Sequence, residues 1–228
     1  MYSPVKFLIF DLDGTLLDTE NLFFEAYEIL LKRYGKIFTN DMKLHCVGKN
    51  KIQLHTYLIN ELDIKNTTIN ELAAEGAAIQ DELYEERGIN IMPGAEKLVT
   101  HMANHNIEMG IATSSPKWHF CSVAKYHKKF FRYFNYIITG ENKRSKPYPD
   151  LFIACAKRFQ ENFNPADFLV FEDTPLGVEA AKNAGMQVIM IPLPIIPPEQ
   201  FQNATKVIKS MNDFIPEEFN LPPYEKSV

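Results

Sequence analysis

The sequence predicts an α/β fold: a parallel sheet flanked by helices, with a helical subdomain inserted behind the first strand. Short apolar runs rich in Val, Ile and Phe occur at residues 5–10, 109–113, 136–139, 168–171 and 188–191. They are continuous rather than alternating, as in strands buried on both faces. Helix-like patterns at 94–105, 116–129, 150–160 and 177–184 separate them. Alternating strand and helix is the pattern of parallel units joined by right-handed crossovers. Residues 18–90 break this rhythm, because they hold only helix-like patterns, at 22–34, 51–62 and 69–87. One crossover needs far less chain, so an inserted subdomain is the economical reading.

Each element has its boundary signal. Gly35, Gly48 and Gly88 punctuate the insertion, and Met92-Pro93-Gly94 marks the return to the sheet. The expected core is therefore residues 1–17 and 91–228, with 18–90 inserted. A proline-rich loop at 192–200 precedes an expected edge strand at 206–208. Asp18 reads as the cap of the first inserted helix. Phe23, Phe24, Tyr27 and Leu30 fit a packed helix face. Trp118 and Phe120 read as residues facing the core or the inserted subdomain. His101 and His105, four apart, read as surface histidines.

Composition narrows the function. The 228 residues include 29 acids and 24 bases, a net charge of −5 that offers no field for nucleic acid or an anionic membrane. No apolar run approaches the roughly 20 residues that span a bilayer. The start turns acidic after a short apolar stretch, too little for a signal-peptide core. Cys46, Cys121 and Cys155 are odd in number and widely spaced, and fit neither a disulfide framework nor a zinc site. The expectation is a soluble, cytoplasmic, monomeric protein with no polymeric nucleic acid and no membrane among its partners.

Ligands of open parallel sheets bind at the carboxyl ends of the strands. The first strand ends in Asp11-Leu12-Asp13-Gly14-Thr15, the second in Thr113-Ser114-Ser115 and the fourth in Glu172-Asp173-Thr174. Asp11 and Asp13 are two apart, so on extended backbone their side chains leave on one face. With Asp173 arriving from another strand they form an acidic cluster, which calls for a neutralising cation. Oxygen ligands without His or Cys point to Mg²⁺. Thr113 and Ser114 serve equally as helix caps or as part of an anion site at a helix amino-terminus. Lys146 alone would be a solvated charge. Beside an acidic metal site it could neutralise a phosphoryl group or hold a nucleophilic carboxylate. Lys143 and Arg144 read as solvated loop charges. Lys49 and Lys51, after Gly48, are either surface charges or contacts to an anionic substrate. Neither G-x-x-x-x-G-K-[ST] nor G-x-G-x-x-G occurs.

The chain resembles the haloacid-dehalogenase (HAD) superfamily of phosphohydrolases. Asp11-Leu12-Asp13-Gly14-Thr15 is similar to its first motif, Ile111-Ala112-Thr113-Ser114 to its second, Lys146-Pro147 to its third and Glu172-Asp173 to its fourth. The segments LLDTE, VGK, MPGAEKL, KPYPDLFIACAKRF, FEDTPLGVEAAKNAGMQVIMIP and LPPYE are similar to the animal pseudouridine-5′-phosphatase group. The resemblance implies a Rossmann-like core, with the inserted helices as its cap. It implies Mg²⁺-dependent hydrolysis of a small phosphorylated metabolite, pseudouridine 5′-phosphate foremost. Asp11 would be the nucleophile that forms an aspartyl-phosphate, and Asp13 the general acid and then base. Asp11 and Asp173 would give carboxylates to the metal and Asp13 its backbone carbonyl, with Glu172 either a ligand or a hydrogen-bond acceptor behind the ligands. Thr113, Ser114 and Lys146 would hold the transferred phosphoryl oxygens. Two rival readings share the motifs: a phosphosugar mutase of the β-phosphoglucomutase type, and a phosphorylatable signalling module without turnover.

Overall fold

The computed structural model describes residues 2–141, 143–201 and 203–225. The chain divides into two compact units, Met1–Leu17 with Ile91–Val228, and Asp18–Asn90. In chain order, β1 (Phe7–Phe10) opens the first unit. The second unit holds α1 (Thr19–Arg33), α2 (Asn40–Cys46), α3 (Lys51–Glu61) and α4 (Ile69–Arg87). The first unit then resumes with α5 (Ala95–Asn104), β2 (Met109–Ala112), α6 (Lys117–Ala124), α7 (Lys128–Phe131) and β3 (Tyr136–Ile138). It finishes with α8 (Asp150–Phe159), β4 (Phe168–Glu172), α9 (Pro175–Asn183), β5 (Gln187–Met190) and β6 (Lys206–Val207).

The described strands form one sheet in the order β3-β2-β1-β4-β5-β6, and every pairing is parallel. All residues of β1, β2 and β4 are buried, which is the physical reason their sequences run apolar without alternation. Phe10 of β1 stacks on Phe171 of β4 at 4.7 Å between ring centroids. The same Phe10 is in register with Ile111 on one side and Phe171 on the other. Three strands thus end level, and the residues after them emerge along one edge. The chain winds from β1 toward β3 on one side and from β4 toward β6 on the other. The junction of β1 and β4 is the switch point where such sheets bind ligands.

The helical unit is built on its own core of Ala26, Tyr27, Leu30, Leu31, Leu58, Leu72, Ile79 and Leu83. Two reciprocal caps set its helix starts: Asn50 with Gln53 for α3, and Thr68 with Glu71 for α4. Gly76 of α4 leaves room for the Tyr27 ring, which a Cβ there would meet at 2.9 Å. Beneath it the buried His55 lies 2.6 Å from the Tyr27 hydroxyl through Nε2 and 2.6 Å from the Lys51 carbonyl through Nδ1.

Several local expectations need correction. The helix expected at 116–129 is broken, with α6 and α7 separated by a tight turn at Lys125–His127. His127 leaves helical geometry at φ −131°. The break turns Phe130 and Phe131 inward onto Phe134, and all three rings are buried. Aromatic burial there outweighs local helix propensity. Helix α2 has no periodic signal because it is short and buries only Cys46; Thr39 caps it. Asp18 does sit at the start of α1, but its side chain accepts from the Asn21 amide at 2.8 Å, not from helix backbone. Trp118 is 61% exposed, so it is not a core residue. His101 is half-buried, with Nε2 3.0 Å from the Pro222 carbonyl. Among the described residues, no helix is long and apolar enough to cross a membrane.

Candidate active site

The site assembles at the edge where β1, β2 and β4 end. Asp11 follows β1, its backbone N–H donating to the Phe171 carbonyl at 3.0 Å, so the strand pairing itself fixes its place. The next residues turn sharply, with Gly14 at φ +78°, a conformation that favours glycine. Asp173, directly after β4, accepts from the Thr15 hydroxyl at 3.2 Å. That bond ties the turn after β1 to the end of β4. Asp11, Thr15, Thr113, Glu172 and Asp173 are all buried, a concentration of polar groups that a merely structural sheet edge does not need.

Lys146 comes from the loop between β3 and α8 and carries its ammonium into this cluster, where it pairs with both Asp11 and Glu172. Its side chain is 8% exposed, which excludes the solvated-loop alternative. Glu172 is fully buried, and its second oxygen accepts from Asp173 N–H at 3.1 Å, Thr174 N–H at 3.2 Å and the Thr174 hydroxyl at 3.1 Å. Those donors lie at the start of α9, where a carboxylate is electrostatically favoured. Both Glu172 oxygens are therefore engaged by protein groups, and its place is behind Lys146.

Asp13 is partly exposed, and its carboxylate points toward the segment after β2. Oδ2 accepts from the Ser115 hydroxyl at 2.7 Å, and Oδ1 lies 2.9 Å from His119 Nε2. Thr113 does not cap α6, whose capping position is Pro116; its hydroxyl accepts from the Ser115 N–H at 2.9 Å. Ser114 is exposed beside it, and its carbonyl passes Gly140 so closely that a Cβ there would lie 2.1 Å away.

The electrostatics follow from this crowding. Burial pushes the Asp11 carboxyl up to about 8; Glu172 and Asp13 add to the rise, and Lys146 pulls against it. For Lys146, burial works against the ammonium, but Asp11 and Glu172 hold its pKa above the ordinary lysine value. One ammonium does not balance the acids around it. The donor chemistry fits a hard divalent cation, since the buried Asp11 and Asp173 offer carboxylate oxygens. No set of three or more His, Cys, Asp or Glu residues among the described residues is arranged to hold a metal by side chains alone. Glu172 pairs with Lys146, and the Asp13 side chain faces Ser115 and His119.

Lys143 donates to the Thr139 and Glu141 carbonyls at 3.3 Å, and the exposed Arg144 forms a two-pronged pair with Asp150 at 2.9 Å. Lys49 and Lys51 belong to the helical unit, where both are exposed on either side of Asn50. Ser115, His119 and Thr15 were not singled out as site residues by sequence reasoning. The available signal was position: a hydroxyl three residues past a strand end, and a histidine in the first turn of the following helix.

The constellation at this switch point is centred on a buried aspartate, Asp11. A family model described as haloacid dehalogenase-like hydrolase matches residues 8–191, and the chain belongs to that family. It is 36% identical to (DL)-glycerol-3-phosphatase 2 of Arabidopsis thaliana, over 99% of this chain and 95% of that protein. It is also 36% identical to a Drosophila melanogaster protein named probable pseudouridine-5′-phosphatase, over 96% of each. Among solved structures, a HAD hydrolase of family IA, variant 3, from Entamoeba histolytica superposes with a TM-score of 0.78 at 23% identity, covering 96% of this chain and 97% of that one.

Proposed function

We propose that the chain is a Mg²⁺-dependent phosphomonoester hydrolase for a small phosphorylated metabolite, with pseudouridine 5′-phosphate as the leading substrate. The observation that carries this is Asp11, buried at the end of the central strand against the Lys146 ammonium, with Asp13 two residues on. Two relatives of equal identity, one named for glycerol 3-phosphate and one for pseudouridine 5′-phosphate, support a phosphate ester and bracket the leaving group.

In this reading Asp11 attacks phosphorus, its carboxylate oxygen forming the new P–O bond as the bond to the leaving alkoxide breaks. Asp13 gives its proton to that alkoxide. It then takes one from the water that attacks the aspartyl-phosphate and regenerates Asp11. Lys146 holds Asp11 in place and, with Thr113 and Ser114, meets the charge on the transferred oxygens. Asp11 and Asp173 would hold Mg²⁺ by carboxylates and Asp13 by its backbone carbonyl. The ion supplies the positive charge that the acids outnumbering Lys146 call for. Recognition of the leaving group would fall to the helical unit 18–90, with Lys49 and Lys51 as its anion contacts.

The test is phosphate release from a panel of monoesters, with Mg²⁺ and with EDTA. The panel holds pseudouridine 5′-phosphate, uridine 5′-phosphate, glycerol phosphate, sugar phosphates and flavin mononucleotide. Asp11→Asn should stay folded and release none. Mg²⁺-dependent release that Asp11→Asn leaves intact would refute the assignment. Turnover only with a bisphosphate activator would favour the mutase reading.

A further inference from the structure

Asp13 is held by two donors from one short stretch of chain. The Ser115 hydroxyl reaches Oδ2 at 2.7 Å and His119 Nε2 reaches Oδ1 at 2.9 Å. An ionised carboxylate only accepts, so the hydrogen of this contact sits on Nε2. Both donors are themselves tethered. The Ser115 N–H donates to Thr113 Oγ1 at 2.9 Å, and its carbonyl accepts from Gly140 N–H at 3.0 Å. His119 lies in the first turn of α6, and its carbonyl accepts from the Ser122 hydroxyl at 2.8 Å. The side chains of His119 and Asp13 are mostly buried.

We propose that Ser115 and His119 are positioning residues that fix the plane and direction of the Asp13 carboxylate for proton transfer. This rests on the reading of Asp13 as general acid and base. An aspartate side chain has a broad terminal torsion. A donor on each oxygen removes that freedom and keeps the carboxylate where a proton passes to the leaving oxygen and back from water. The Ser115 hydroxyl can donate or accept, so it holds either protonation state. With the hydrogen on Nε2, His119 donates to the ionised carboxylate. Losing the pair should therefore weaken both half-reactions wherever a proton must move, and spare the one where none does.

The leaving group separates these cases. With p-nitrophenyl phosphate, the nitrophenolate departs without a proton, so only hydrolysis of the aspartyl-phosphate needs Asp13. With glycerol 3-phosphate, both halves do. His119→Ala and Ser115→Ala are measured with Mg²⁺ beside Asp13→Asn and wild type, by rapid quench and at steady state, each checked for folding by circular dichroism. The expected result for His119→Ala is a loss of about 10- to 100-fold in kcat on glycerol 3-phosphate, part of the 10²–10⁴ that positioned proton transfer supplies. On p-nitrophenyl phosphate it should give a burst of one nitrophenolate per enzyme followed by slow turnover. His119→Gln, which keeps an N–H donor, should recover part of the loss, and Ser115→Ala should show the same pattern in weaker form. Wild-type kcat on both esters in both alanine variants, with the burst in Asp13→Asn alone, would overturn the clamp. An equal loss on both esters with no burst would mark a merely structural role and overturn it too. Wild-type turnover in Asp13→Asn would overturn the acid–base reading itself.

Discussion

Gly177→Ala should destabilise the protein and slow it, although helix propensity argues the reverse. Gly177 lies inside α9 at an ordinary helical φ, so alanine there should gain up to about 1 kcal/mol from propensity. The structure reverses the sign. A Cβ at this position would sit 1.9 Å from the Glu172 carboxyl carbon and 2.1 Å from each of its oxygens, through which no atom can pass. The carboxylate must retreat by about 1 Å to reach even the closest tolerated contact. Overpacking of this kind costs about 1–3 kcal/mol. Weakening one hydrogen bond to a buried charge adds about 1.5–3 kcal/mol. After the propensity gain, the net loss is about 1.5–5 kcal/mol. Glu172 is one of the two anchors of Lys146, so Lys146 shifts with it. A misplacement near 1 Å in a reacting site is worth about 100-fold in rate. The assay pairs urea unfolding, where the midpoint should fall by about 0.5–2.5 M at an m-value of ~2–3 kcal/mol/M, with kcat on the best monoester. A variant as stable and as fast as wild type would refute this account of the Glu172–Lys146 support.

Lys146→Met should leave Asp11 and Glu172 buried without their cation, costing about 3–5 kcal/mol, and lower kcat by orders of magnitude. Adding Glu172→Gln should recover stability in urea but not turnover; recovery of both would reduce Lys146 to charge balance. His55 gives a pH signature in the helical unit. Burial lowers its pKa below the usual 6.5, and the Lys51 charge adds to this while the backbone bond to Lys51 opposes it. Below about pH 6.5 the unfolded chain binds a proton that the folded one refuses, so this contribution to stability is present above 6.5 and is lost as pH falls toward the folded value. Urea midpoints from pH 8 to 5.5 should show that slope, and His55→Gln should flatten it. An unchanged slope in the variant would assign it elsewhere.

The legible and illegible parts of the molecule divide along a physical line. Strands such as 168–171 were readable because two-sided burial leaves a local mark, an unbroken apolar run, and Asp11, Thr113 and Asp173 stand directly after the strands that form there. Strand order then brings those residues together without any long-range information in the side chains themselves. Local chemistry left Lys146 a solvated charge by itself, and its resemblance to the third motif singled it out, since its burial depends on partners 135 and 26 residues away. The partners of Asp13 were harder still. Ser115 and His119 lie 102 and 106 residues from it, and each has an unremarkable local role, one as a loop hydroxyl and the other as a first-turn helix residue. The turn at Lys125–His127 was hidden for a related reason: nothing local breaks the helix, and the three phenylalanines beyond it gain more by burial than the backbone loses. Reactive atoms are thus set by strand ends, which sequence records. What holds those atoms still is set by pairs distant in sequence: Lys146 with Glu172, 26 residues away, and Asp13 with Ser115 and His119, 102 and 106 residues away.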